Sequence, residues 1–157
     1  PIGGWAHIHK SAAIGANLSI VCWTPARENG WASLPLNAAI EILGKDEQAK
    51  PAVGTPGPFA WENPEYFAPV LEQAGWQNLN WQAVEVAAEL ATGSDPDPIE
   101  RATQFSLRIG PLARRLAGTS PDVRTQVGDA LRTTFKDYLD GDAVRVPTKA
   151  WVITGNA

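Results

Sequence analysis

His7 and His9, Cys22, Glu28 and seven tryptophans are the side chains of this 157-residue chain whose chemistry invites a functional reading. On a strand, an H-x-H pair would put two imidazoles on one side, ready to ligate a metal. On a helix, residues two apart point about 200° apart. The flanking sequence reads as helix, and no other Cys or His cluster has zinc spacing, so no metal is expected. Cys22 lies in an apolar run, Leu18-Ser19-Ile20-Val21-Cys22-Trp23, which would raise its pKa and leave it a small core residue rather than a nucleophile. Trp23, Trp31 and Trp61 fall near a strand end and loop borders, where aromatic side chains wall apolar ligand pockets. The competing reading is that they fill the core.

Several chemistries lack their motif altogether. There is no G-x-S-x-G, Walker A or H-E-x-x-H sequence, and neither Gly3-Gly4 nor Gly54 and Gly57 make the G-x-G-x-x-G turn that cradles a dinucleotide or nucleoside cofactor. The chain therefore carries no recognisable cofactor loop of its own.

The elements that would position these residues form an α/β pattern. Trp5, Ile8, Ala12 and Ala13 recur at helical spacing over Pro1 to Ala13, with Gly15 as the stop. Leu18 to Trp23 reads as a parallel-sheet strand covered on both faces. Trp31 to Leu43 forms a second helix with Pro35 in its first turn. Lys45 to Pro58, rich in Pro and Gly, is an irregular loop whose length suggests a lid. Asn63-Pro64 caps a helix that Gly75 ends, and Trp76 to Val86 follows as a strand. Asp97-Pro98-Ile99-Glu100 has the form of a capping box, and Gly110-Pro111 should interrupt the helix it opens. Ser120-Pro121-Asp122 starts the last helix, with Val123, Val127, Leu131, Phe135 and Leu139 on one stripe and Gly141 as its end. The tail from Val144 to Thr154, interrupted by Pro147, is a closing strand.

Composition narrows the class further. A chain of this length with 44% hydrophobic residues is expected to form one domain over residues 1–157. The net charge of −4 and the absence of basic runs argue against nucleic acid as a partner. No stretch reaches the roughly 20 apolar residues of a membrane span. A single cysteine excludes an internal disulfide and suits a reducing, cytoplasmic setting. The chain opens at Pro1 inside a helical pattern and contains no methionine, so it is expected to begin within a longer gene product.

The run His7-Ile8-His9-Lys10-Ser11-Ala12-Ala13-Ile14-Gly15-Ala16-Asn17-Leu18-Ser19-Ile20-Val21-Cys22-Trp23 resembles the helix, Pro-Gly-Gly turn and fifth strand of class I S-adenosylmethionine-dependent methyltransferases of the ubiquinone-biosynthesis-like group. Further motifs in matching order are Pro25, Glu28-Asn29, Trp31 to Leu36, Pro56-Gly57-Pro58-Phe59, Glu72-Gln73-Ala74-Gly75-Trp76, Gly110-Pro111-Leu112-Ala113 and Ala150-Trp151-Val152-Ile153-Thr154. Ile14 stands where the family has Pro, and Ala16 where it has the second Gly.

The resemblance covers nearly the whole chain. It implies an α/β fold, the C-terminal part of a Rossmann-like methyltransferase sheet with strands five, six and seven, the last antiparallel, and inserted helices. In the family the donor, S-adenosylmethionine, is held by a Gly-rich turn after the first strand, an acidic residue ending the second and residues around the fourth strand, all upstream of the matched part, so no cofactor-binding residue carries over. The acceptor side does carry over: Trp23, Glu28, Asn29, Trp31, Phe59 and Phe105 are the implied substrate-binding residues, facing a small apolar or aromatic acceptor. The sheet would lack the neighbour of its fifth strand, and that edge must be covered by the missing N-terminal half or by a second copy of the chain. Two functions follow as expectations: the acceptor-binding half of a small-molecule methyltransferase, inactive alone, or a non-catalytic dimeric ligand-binding or scaffold module derived from that fold.

Overall fold

The caps expected at Asn63, Asp97 and Ser120 form in the computed structural model, which describes residues 1–45, 52–93 and 97–157, whereas α1 ends at Ser11 with Ala12 extended and not at Gly15. The chain divides into two compact units. Unit 1 comprises Pro1–Ala26, Lys50–Glu85 and Lys149–Ala157, and unit 2 comprises Arg27–Ala49 and Val86–Thr148.

Unit 1 contains helices α1 (Ile2–Ser11) and α4 (Pro64–Gln73), strand β1 (Asn17–Trp23), and parts of strands β2 (Gln77–Thr92) and β4 (Ala143–Asn156). The Asn63 side chain accepts from the Glu65 N–H at 2.9 Å and Pro64 opens α4, so the start is settled by two adjacent residues. Its end is a Schellman motif: Trp76 N–H donates to Leu71 C=O at 3.1 Å and Gly75 N–H to Glu72 C=O at 3.0 Å. Gly75 has φ +106°, and a Cβ there would lie 2.9 Å from the His9 ring, so glycine is required both by the turn and by the packing of α1. Leu18, Phe67, Leu71, Trp76 and Ile153 form the core, with Trp5, Trp61, Leu79 and Trp151 packed against it.

Unit 2 is mostly helical. It holds α2 (Gly30–Ala38), α3 (Ile40–Leu43), α5 (Pro98–Arg108), α6 (Pro111–Arg115), α7 (Pro121–Lys136) and β3 (Leu139–Asp140). Ser120 caps α7 through Val123 N–H at 3.3 Å, and Val127, Leu131 and Phe135 recur at i, i+4, i+8 and are fully buried. They meet Leu112, Leu116, Val144 and Val146 in one aliphatic cluster. Asp97 accepts from Glu100 N–H at 3.1 Å, which is half of the expected capping box. The Glu100 carboxylate accepts from Arg132 of α7, at 2.7 and 3.3 Å, and from Gln104 at 2.8 Å. Two arginines terminate helices: Arg115 donates to the Leu43 and Gly44 carbonyls, and Arg124 to those of Leu116 and Leu107. Each satisfies carbonyls that a helix end leaves orphaned.

The architecture is α/β with an open four-stranded sheet in the order β1-β4-β2, and β3 pairs with β4. The last strand, β4, runs antiparallel to β1 without a bulge, from Asn17 opposite Asn156 to Trp23 opposite Ala150. Across β2 and β4 the side-chain pairs Asn78–Asn156, Glu85–Lys149 and Glu89–Arg145 step in opposite directions, so that pairing is antiparallel too.

Several expectations change. β1 is not covered on both faces: Leu18, Ile20 and Cys22 point to the core, whereas Asn17, Ser19 and Val21 are exposed, Val21 to 68%. Its immediate partner is antiparallel, as the alternation of polar Asn17 and Ser19 with apolar neighbours fits. Pro35 lies mid-helix in α2, because the helix starts earlier, where the Asn29 carbonyl accepts from the N–H groups of Ala32 and Ser33. Pro147 does not interrupt β4. Arg145 N–H points to Tyr138 C=O, so the nitrogen two residues on faces the same side, between the residues paired with β3 and those paired with β1. No ladder hydrogen bond is lost there. Leu139 lies beyond the last turn of α7, in β3, and is 44% exposed. Gly141, with φ +61°, ends no helix but turns the β3–β4 hairpin. Of the expected lid, residues 46–51 lie outside the described residues, and the remainder forms turns such as Thr55 N–H to Ala52 C=O. Among the described residues no helix is long and apolar enough to cross a membrane.

Candidate functional site

The six residues implied to meet a substrate fall in different units. Trp23 and Phe59 belong to unit 1, and Glu28, Asn29, Trp31 and Phe105 to unit 2.

In unit 1, Trp23 ends β1, and Thr24 anchors the exit of the strand: its N–H and its hydroxyl both donate to Lys149 C=O, at 3.2 and 3.0 Å. An open depression of about 350 Å³ lies here, lined by Val21, Cys22, Trp23 and Pro58, the last adjacent in sequence to half-buried Phe59. Its walls are apolar surface of a strand end and a proline. Cys22 is the titratable group among these four, and burial pushes its thiol up to about 11. The S–H donates to Trp61 C=O at 3.4 Å. A thiol in that range is about one part in ten thousand thiolate at neutral pH, so it adds surface and not nucleophilicity.

The alternation of β1 carries the signal that would have found Val21, since it shares the outward row with Asn17 and Ser19. Pro58 has no such signal. Its place depends on how the segment before α4 packs.

Most tryptophans of unit 1 serve the core instead. Trp5 and Trp61 have ring centroids 5.1 Å apart, Trp61 stacks on Phe67 at 5.9 Å, and Phe67 meets Trp81 edge-on at 5.7 Å. Their indole N–H groups find carbonyls: Trp76 Nε1 donates to Trp5 C=O at 3.3 Å and Trp151 Nε1 to Glu62 C=O at 2.9 Å. Trp61 is partly buried and packs against the core of unit 1. His9 packs edge-on against Trp76 with centroids 5.2 Å apart, while His7 is exposed. The two imidazoles diverge, as helical geometry dictates. Among the described residues no group of three or more His, Cys, Asp or Glu is arranged to hold a metal ion.

In unit 2, Glu28 lies in a 3-10 turn (Ala26–Glu28) and pairs with its neighbour Arg27 at 3.1 Å. Asn29 is fully buried at the start of α2, where its carbonyl also accepts from the Ser33 hydroxyl at 3.0 Å. Gly30, next in sequence, approaches β4 so closely that a Cβ would lie 2.9 Å from Pro147 O. Trp31 lies over Gly110, whose φ of +93° breaks the chain between α5 and α6; a Cβ there would be 3.3 Å from the indole. Phe105 is half-buried on α5. The same helix carries two fully buried hydroxyls, Thr103 and Ser106, that have no hydrogen-bond partner among the described residues.

No protein-family model matches the chain, and a search of curated proteins finds no significant match. No family is therefore assigned to it.

Proposed function

We propose that these residues form the acceptor-binding, sheet-closing half of a small-molecule methyltransferase that uses S-adenosylmethionine, inactive by themselves. The single observation that carries this reading is the strand order β1-β4-β2 with β4 antiparallel to both neighbours. In the resembled fold that order is fifth, seventh, sixth, and an accidental likeness of short motifs would not favour it. In this reading an apolar or aromatic acceptor would lie against the open, mostly apolar surface beside Trp23 and Pro58.

Methyl transfer of this type is a direct displacement at the sulfonium methyl carbon. Alignment and exclusion of water supply most of the rate, and walls matter more than acids or bases. In this reading Trp23 and Phe59 present aromatic surface to the acceptor, and the free cysteine fits a reducing, cytoplasmic compartment. The second reading, a non-catalytic dimeric ligand-binding module, draws on the same depression and needs no donor.

Calorimetric titration of S-adenosylmethionine and, separately, S-adenosylhomocysteine into the chain, with its mass in solution measured alongside, tests the proposal. No heat of binding is expected. Micromolar binding of either compound would overturn the half-enzyme reading. A dimeric mass together with quenching of tryptophan emission by an apolar aromatic probe would favour the ligand-binding module.

A further inference from the structure

We draw no further inference here: the strongest candidate, the outer edge and exposed face of strand β1 around Val21, carries nothing because nothing in the structure shows what covers it.

Discussion

Unit 1 and unit 2 solve the same problem, how to bury apolar mass without stranding polar groups, with different side chains. Unit 1 uses large aromatic rings, Trp5, Trp61, Phe67 and Trp76, with the exposed Trp81 edge-on to Phe67, and its buried donors include indole N–H groups that reach backbone carbonyls. Unit 2 uses Leu, Val and a single central Phe135, and its carbonyls at helix ends are met by the guanidinium groups of Arg115 and Arg124. A few large rings span the distance from helix to sheet in unit 1, whereas the short helices of unit 2 expose many ends that need donors. Charge is spent accordingly. Arg115, Arg124, Arg132 and Arg145 of unit 2 are engaged with carbonyls or carboxylates of the fold.

The sharpest way to break this comparison is to remove the ring at the centre of the aromatic cluster. Phe67→Ala deletes the partner of both Trp61 and Trp81 and is expected to cost about 3–5 kcal/mol in urea unfolding, with a red shift of indole emission. An unchanged midpoint would mean that the cluster is not the core of unit 1. Next in size is a rate. Because burial holds the Cys22 thiol near 11, alkylation by iodoacetamide at pH 8 should run about a hundredfold slower than that of an unstructured cysteine, and should accelerate as pH rises toward 11. A rate equal to the free thiol would show that the strand end opens readily.

In unit 2 the effects are smaller and polar. Arg124→Ala removes the donor of the Leu107 carbonyl, while the Leu116 carbonyl keeps the N–H and hydroxyl of Thr119, and is expected to cost about 1–3 kcal/mol, with Arg124→Lys recovering part of it. If the alanine variant is as stable as the parent, helix ends there are satisfied by water. The smallest effect is a pH dependence. Hydrogen bonding from Arg132, and then from Gln104, holds the Glu100 carboxyl below its ordinary range. A carboxylate whose pKa is lowered on folding stabilises the protein above its unfolded value, and that contribution is lost as pH falls through the folded value. Glu100→Gln should therefore be less stable than the parent at neutral pH by about 0.2–1 kcal/mol, and the gap should close in acid below the ordinary glutamate range. A gap that persists there would assign the effect to packing.

What was legible in the sequence was local. Asn63, Asp97 and Ser120 as caps, Gly75 as a stop, the break at Gly110-Pro111 and the Val127, Leu131, Phe135 stripe all appear in the structure. The raised thiol of Cys22 was legible too, because an apolar run is enough to predict desolvation. The candidate site was less so. Trp23 lines the depression at the end of β1 together with Val21 and Pro58, which no local pattern singled out, and the Asn29 carbonyl accepts from the Ser33 hydroxyl at the start of α2.

Caps and stops are hydrogen bonds that close within one turn, so neighbouring residues determine them by themselves. Strand order, the passage of β4 through Pro147, the exposed row of β1 and the transfer of Leu139 from a helix stripe to a hairpin were decided only by tertiary structure. They depend on which segment lies alongside: Asn17 pairs with Asn156, and Pro147 keeps its place in a strand because the nitrogen faces a gap between two partners. No window of adjacent residues contains that information, since the cost of a missing N–H or an exposed valine is set by what the fold brings next to it.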